Sequence, residues 1–192
     1  TVLSRGLGDV YKRQLYDGDN NYLYRAASVL NFQRNYIDSG DFDGDGNVDM
    51  FVGANNYVSY RGMVCIHSGN VLFDTFSNGA LYSDGTQCYR GETGGDKAGD
   101  QAVNAGDVNG DGCDDILFTA IGNDDAATDA GKIYLIYGRG SSCSSSTYPS
   151  SLASADLTFT GENTDDADER ISIAAAGDID ADGYADFLIG MA

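Results

Sequence analysis

Fifteen residues recur three times in this chain, in the same order of polar and apolar side chains. The copies run from Gly40 to Ala54 (GDFDGDGNVDMFVGA), from Gly106 to Ala120 (GDVNGDGCDDILFTA) and from Gly177 to Met191 (GDIDADGYADFLIGM). Counted from the first aspartate of each copy, positions 1, 3, 5 and 9 carry oxygen-bearing side chains. These are Asp41, Asp43, Asp45 and Asp49; then Asp107, Asn109, Asp111 and Asp115; then Asp178, Asp180, Asp182 and Asp186. Carboxylates packed this densely repel one another unless a cation sits among them. Position 7 is Asn47, Cys113 or Tyr184, which share only a backbone carbonyl, so a main-chain oxygen is the expected donor there. Glycine at position 6 (Gly46, Gly112, Gly183) permits a tight turn with positive φ. Position 4 is Gly44, Gly110 and Ala181, and the third loop is therefore expected to need a less permissive backbone at that point. Asp114, at position 8, reads as solvent-facing and not as a ligand.

A hard dication matches this donor set. Calcium takes six to eight oxygens at about 2.3–2.6 Å, whereas magnesium prefers fewer protein ligands and stricter geometry. The expectation is about three Ca2+ ions, one per loop. An EF-hand also begins Asp-x-Asp-x-Asp-Gly, but it needs a bidentate acid at position 12 and a helix on each side. Position 12 is Val52, Phe118 and Ile189, each inside a β-rich apolar run. The last ligand thus falls at position 9, and the loop should join two strands.

The loops begin 66 and 71 residues apart, at Asp41, Asp107 and Asp178. That period is too long for a solenoid coil and suits a four-stranded propeller blade plus an insertion. The fold class expected is all-β, a β-propeller fragment of two to three four-stranded blades with calcium loops between strands. Strands are expected around Tyr36-Ile37, at Met50–Val52 and between Gly62 and Gly69, with Val71–Phe76 as a fourth. The same order follows as Ala102-Val103, Ile116–Phe118 and Gly131–Gly138, with a polar turn at Asn123–Asp129. A second phrase, Tyr89-Arg-Gly-Glu92 and Phe159-Thr-Gly-Glu162, precedes the second and third loops at nearly equal offsets.

The chain divides on this reading into a leader at 1–14, blade one at 15–83, blade two at 84–140, a serine-rich linker at 141–156 and an incomplete third blade at 157–192. The leader carries three of the eleven basic residues and none of the repeat, and it resembles translated sequencing-adapter sequence. It is set aside from fold reasoning. The linker holds the single proline, Pro149, and reads as flexible. The third blade ends after its second strand, so the chain reads as a fragment whose open edges the remaining blades of the same chain would cover.

Formal net charge is −19, and each loop holds four of the 30 acids. Such a surface repels nucleic acid and anionic lipid. No apolar run approaches membrane-spanning length, so no membrane insertion is expected in this segment. Cys65, Cys88, Cys113 and Cys143 form no Cys-x-x-Cys pair, which argues against zinc. One or two disulfides would suit an exported protein, and four cysteines allow three complete pairings; small buried hydrophobes are the alternative.

The three loops and the strands they enter resemble the FG-GAP repeats of the integrin α-subunit β-propeller and its bacterial relatives. The resemblance covers most of residues 30–192. The eponymous ends are worn: Phe-Gly would fall at Phe32-Gln33, Ala98-Gly99 and Glu169-Arg170, and Gly-Ala-Pro at Gly53-Ala-Asn55, Thr119-Ala-Ile121 and Gly190-Met-Ala192. It implies a calcium-binding propeller module of an extracellular, cell-surface or periplasmic protein, serving adhesion or binding of a protein or glycan ligand. Related propellers also occur in secreted polysaccharide lyases and hydrolases, and a purely structural spacer is a third reading. Catalysis has little footing in the residues. His67 is the single histidine and lies mid-strand, no Gly-x-Ser-x-Gly elbow exists, and Asp165, Asp166, Asp168 and Glu169 read as a solvated turn.

Overall fold

A computed structural model describes residues 35–69, 86–143, 151–163 and 171–191. Ten strands in this set form three antiparallel sheets, each in simple meander order. β1 (Asn35–Gly40), β2 (Asp49–Ala54), β3 (Met63–His67) and β4 (Thr86–Arg90) make the first. β5 (Ala98–Gly106), β6 (Asp115–Ala120), β7 (Lys132–Ile136) and β8 (Leu157–Thr160) make the second. β9 (Ser172–Gly177) pairs with β10 (Asp186–Gly190) in the third.

The apolar run of β6 is buried on both faces because a sheet lies on each side of the second one, whereas the run of β10 is partly exposed. Side chains alternate across a strand, and here the alternation divides two cores. Ile116, Phe118 and Ala120 of β6 and Tyr134 and Ile136 of β7 pack with Phe51, Val64, Ile66 and Tyr89 of the first sheet and with Phe42 of its loop. Leu117 of β6 and Ile133 and Leu135 of β7 face the other way, onto Ile171, Ile173, Phe187 and Ile189. Phe118 stacks on Tyr134 at 5.4 Å, and Phe159 meets Phe187 edge-on at 5.9 Å.

Two sequence divisions shift. Tyr89 and Arg90 lie in β4, the outer strand of the first sheet, although the boundary at 83/84 assigns them to the second unit. Phe159 lies likewise in β8, the outer strand of the second sheet. A repeat fixes the period of the structure but not the phase at which a sheet begins. Both phrases therefore close a sheet that started one unit earlier. The segment expected as a fourth strand, 71–76, lies outside the described residues, as do the leader and residues 164–170.

The described ends of the serine-rich segment are anchored. Leu152 is fully buried in the first core, in a short 3-10 turn whose Ser151 hydroxyl accepts a bond from the Ala153 amide at 3.1 Å. Asp156 accepts from the Tyr137 amide at 2.8 Å and pairs with Arg139. Composition alone marked 141–156 as a linker; at its described end a single apolar side chain, Leu152, has a core to enter.

All four cysteines are in disulfides, Cys65–Cys88 and Cys113–Cys143, and not merely buried thiols. Cys65 and Cys88 face each other directly across β3 and β4. Pairing could not be chosen from the sequence because it depends on which strands become neighbours.

Candidate metal centre

Each loop joins the inner ends of two antiparallel strands, β1–β2, β5–β6 and β9–β10. No helix flanks any of them, so the strand-to-strand reading holds and the EF-hand comparison ends there. The same internal hydrogen bonds recur in all three. The position-1 carboxylate accepts the amides of positions 5 and 6: Asp41 from Asp45 at 3.1 Å and Gly46 at 2.9 Å, Asp107 from Asp111 at 3.0 Å and Gly112 at 2.8 Å, Asp178 from Asp182 and Gly183 at 3.0 Å each. The position-3 side chain accepts the amide of position 5, and position 5 accepts the amide of position 7. Position 9 reaches back to the amide of position 2, Asp49 to Phe42, Asp115 to Val108 and Asp186 to Ile179, at 2.8–2.9 Å. The loop is thus wound by its own carboxylates, and the winding gathers their oxygens.

One oxygen from each of Asp41, Asp43 and Asp45 lies within 4.8 Å of the others, and the same holds for Asp178, Asp180 and Asp186. In the second loop Asp111 lies beside Cys113 and Cys143; those sulfurs are joined to each other, so they offer no thiolate. Asn109 there takes the place of an acid and its amide donates to Asp111 at 3.2 Å. Burial and the neighbouring Asp45 push the Asp43 carboxyl above its ordinary range. The donors are all hard oxygens, and close-set carboxylates are what a divalent cation would relieve, so the residues present fit a calcium ion by their chemistry.

Position 9 does additional structural work. Asp49 and Asp115 are almost wholly buried, and each uses its second oxygen to bind the backbone beyond the third strand, Gly69 at 2.7 Å and Gly138 at 2.8 Å. Burial raises Asp49 to about 6 and Asp115 to about 7, against partial compensation from these amides.

Position 7 directs its side chains away from the loop centre in two of the copies. Cys113 enters the disulfide, and Tyr184 lies over Gly110 of the preceding loop. Asn47 remains local, its side-chain amide donating to Asp45 at 3.0 Å. This variety suits a position whose shared chemistry is the main chain.

Several features escaped the sequence. Position 4 of one loop packs on position 7 of the next: a Cβ on Gly44 would lie 2.6 Å from the Cys113 sulfur, and one on Gly110 would collide with the Tyr184 ring. Ala181 adopts the same left-handed backbone as those glycines, with φ of +60° beside +66° and +75°. The expectation of a different requirement in the third loop is therefore corrected: the geometry is kept and the alanine bears its strain. Asp114 is half-buried and bonded across to the first loop, not turned to solvent.

Other polar and aromatic side chains offer less. His67 is buried in β3, and burial lowers its pKa to about 4, as suits a packed neutral imidazole. Of the tyrosines, Tyr89 and Tyr134 are core residues, whereas Tyr36, Tyr60 and Tyr184 are exposed. No described helix is long and apolar enough to cross a membrane.

A comparison with curated proteins returned no match. Among family models, the one described as FG-GAP repeat matches residues 100–136, a span that opens within β5, includes the whole second loop and closes at the end of β7. The chain therefore contains an FG-GAP repeat at residues 100–136.

Proposed function

We propose that this chain is part of a calcium-stabilised β-propeller, each four-stranded sheet being one blade, in an extracellular, cell-surface or periplasmic protein that binds a protein or glycan ligand. The observation that carries the reading is the threefold recurrence of one carboxylate-wound loop. The FG-GAP match over the second loop and its strands supports it. Asp41, Asp43, Asp45 and Asp49, with the carbonyl of Asn47, would hold one ion. Asp107, Asn109, Asp111 and Asp115, with the carbonyl of Cys113, would hold the second. Asp178, Asp180, Asp182 and Asp186, with the carbonyl of Tyr184, would hold the third. Calcium supplies positive charge to carboxylates that otherwise repel, and so couples loop order to folding.

Affinity in the range of about 10⁻⁴–10⁻³ M, typical of extracellular modules, would fill the loops outside the cell. Calorimetric titration of the full chain with calcium is expected to give saturable binding of about three ions. No heat of binding up to several millimolar would overturn the proposal.

A further inference from the structure

We propose that Asp114 is a positioning residue for the metal site of the loop before its own. Its inference rests on the calcium reading above and concerns how one site is built across two sheets. Asp114 holds Asp41, the first donor of the first loop, at both ends of its peptide. The Asp114 amide donates to the Asp41 carbonyl at 3.0 Å, and the Asp41 amide donates to Asp114 Oδ2 at 3.0 Å. That same oxygen accepts the side-chain amide of Asn104 at 3.0 Å, and the same Asn104 nitrogen reaches the Ser39 carbonyl, also at 3.0 Å. The Asn104 main-chain amide in turn donates to Asp38 at 3.1 Å. The carboxylate thus sits between β1 and β5, where Gly40 leaves it room: a Cβ there would lie 2.5 Å from Asp114 Oδ2.

The next seam supplies an internal comparison. Position 8 of the third loop is Ala185, whose amide donates to the Asp107 carbonyl at 2.9 Å in the same way. Alanine has no carboxylate, so the side-chain half of the clamp is missing and Ala185 Cβ occupies the space beside Gly106 instead. The backbone bond is common to both seams; the carboxylate brace belongs to the first loop alone among the described residues. Without it, the Asp41 amide would lose a charged acceptor at a half-buried seam. The orientation of the first donor in the loop would then be fixed at one end only.

The three position-6 amides, Gly46, Gly112 and Gly183, each bond the position-1 carboxylate of their own loop, so their NMR resonances report the three loops separately. Calcium chloride is titrated into the full chain and into Asp114→Ala and Asp114→Asn, and half-saturation is read at each glycine. In Asp114→Ala the Gly46 midpoint is expected to rise on the order of tenfold, the scale of one lost bond to a charged acceptor, with the Gly183 midpoint within twofold of the unsubstituted chain. Asp114→Asn keeps an acceptor oxygen without the charge and is expected to restore most of the Gly46 affinity. An unmoved Gly46 midpoint in Asp114→Ala overturns the proposal. So does an equal rise at all three glycines, which would mean general loosening, or an asparagine variant as weak as the alanine one, which would mean charge and not position. If no glycine of the unsubstituted chain responds to millimolar calcium, the calcium reading itself fails, and this inference with it.

Discussion

A backbone in the left-handed region is where single residues in these loops declare themselves. Ala181 holds φ of +60° at a position where its two counterparts are glycine. An L-residue there bears about 1–2 kcal/mol of steric cost, part of which glycine would return as unfolded-state entropy. Ala181→Gly is expected to stabilise the chain by about 1 kcal/mol in denaturant unfolding with calcium present. Gly110→Ala should do the reverse and cost more, because the added methyl both occupies φ of +75° and strikes the Tyr184 ring. His67 makes a pH prediction. Its folded pKa of about 4 lies below the ordinary 6.5, so above pH 6.5 neither state is protonated and nothing is lost. As pH falls below 6.5 the unfolded chain takes the proton first, and stability drains until about pH 4, by on the order of 3 kcal/mol in all. Asp49, raised to about 6, contributes with the opposite sign over part of the same window. The measurement is therefore the stability difference between the chain and His67→Gln, which should shift in favour of the variant between pH 7 and pH 4.5. A difference that stays constant with pH would contradict it.

At the scale of strands, the second repeated phrase has a role that its sequence only marked as recurrent. Arg90 is the last residue of β4, and the turn beyond it delivers Glu92 to the second sheet. The Glu92 carboxylate accepts from Lys132 Nζ and from the Tyr134 hydroxyl, each at 2.7 Å, while Lys132 also pairs with Asp125 at 2.6 Å. Tyr134 is fully buried, and burial together with this carboxylate pushes its phenol far above the ordinary range. The cluster lies where β7 begins, at the end of the sheet opposite the loops. Glu92→Ala is expected to cost about 1–3 kcal/mol, because it strands a buried hydroxyl and removes one of the two carboxylates at Lys132. Glu92→Gln, which can still accept from Tyr134, should cost less. Urea unfolding of the two variants checks the order; an alanine variant as stable as the unsubstituted chain would show that the cluster is incidental.

For the whole molecule the decisive relation is between loops and cores. The loops begin the very strands, β2 and β6, whose side chains fill the first core, so order in a loop and burial behind it are linked. A chelator is expected to lower the melting temperature of the full chain, and Asp111→Ala should lower it even with calcium present. An unchanged melting curve in chelator would refute a stabilising role for any metal. Phe118 measures the core alone: fully buried between two sheets, it should cost about 3–5 kcal/mol on replacement by alanine, with or without calcium.

The sequence by itself was sufficient for the features that repeat. The side chains that wind each loop at positions 1, 3, 5 and 9, the glycine at position 6 and the strand after each loop all follow from local pattern, because a loop bonded within itself needs only nearby residues. What lay beyond it was everything between repeats. Only the tertiary structure decided that Tyr89 and Phe159 close the preceding sheets, that Cys113 pairs with Cys143, that Leu152 enters the core and that Asp114 holds Asp41. Each of these depends on which strands and loops come to lie side by side. A period measured along the chain carries no record of the phase at which one sheet ends and the next begins. The short-range winding of the loops is written in their residues, and the seam that joins one loop to the next exists only once the sheets have packed.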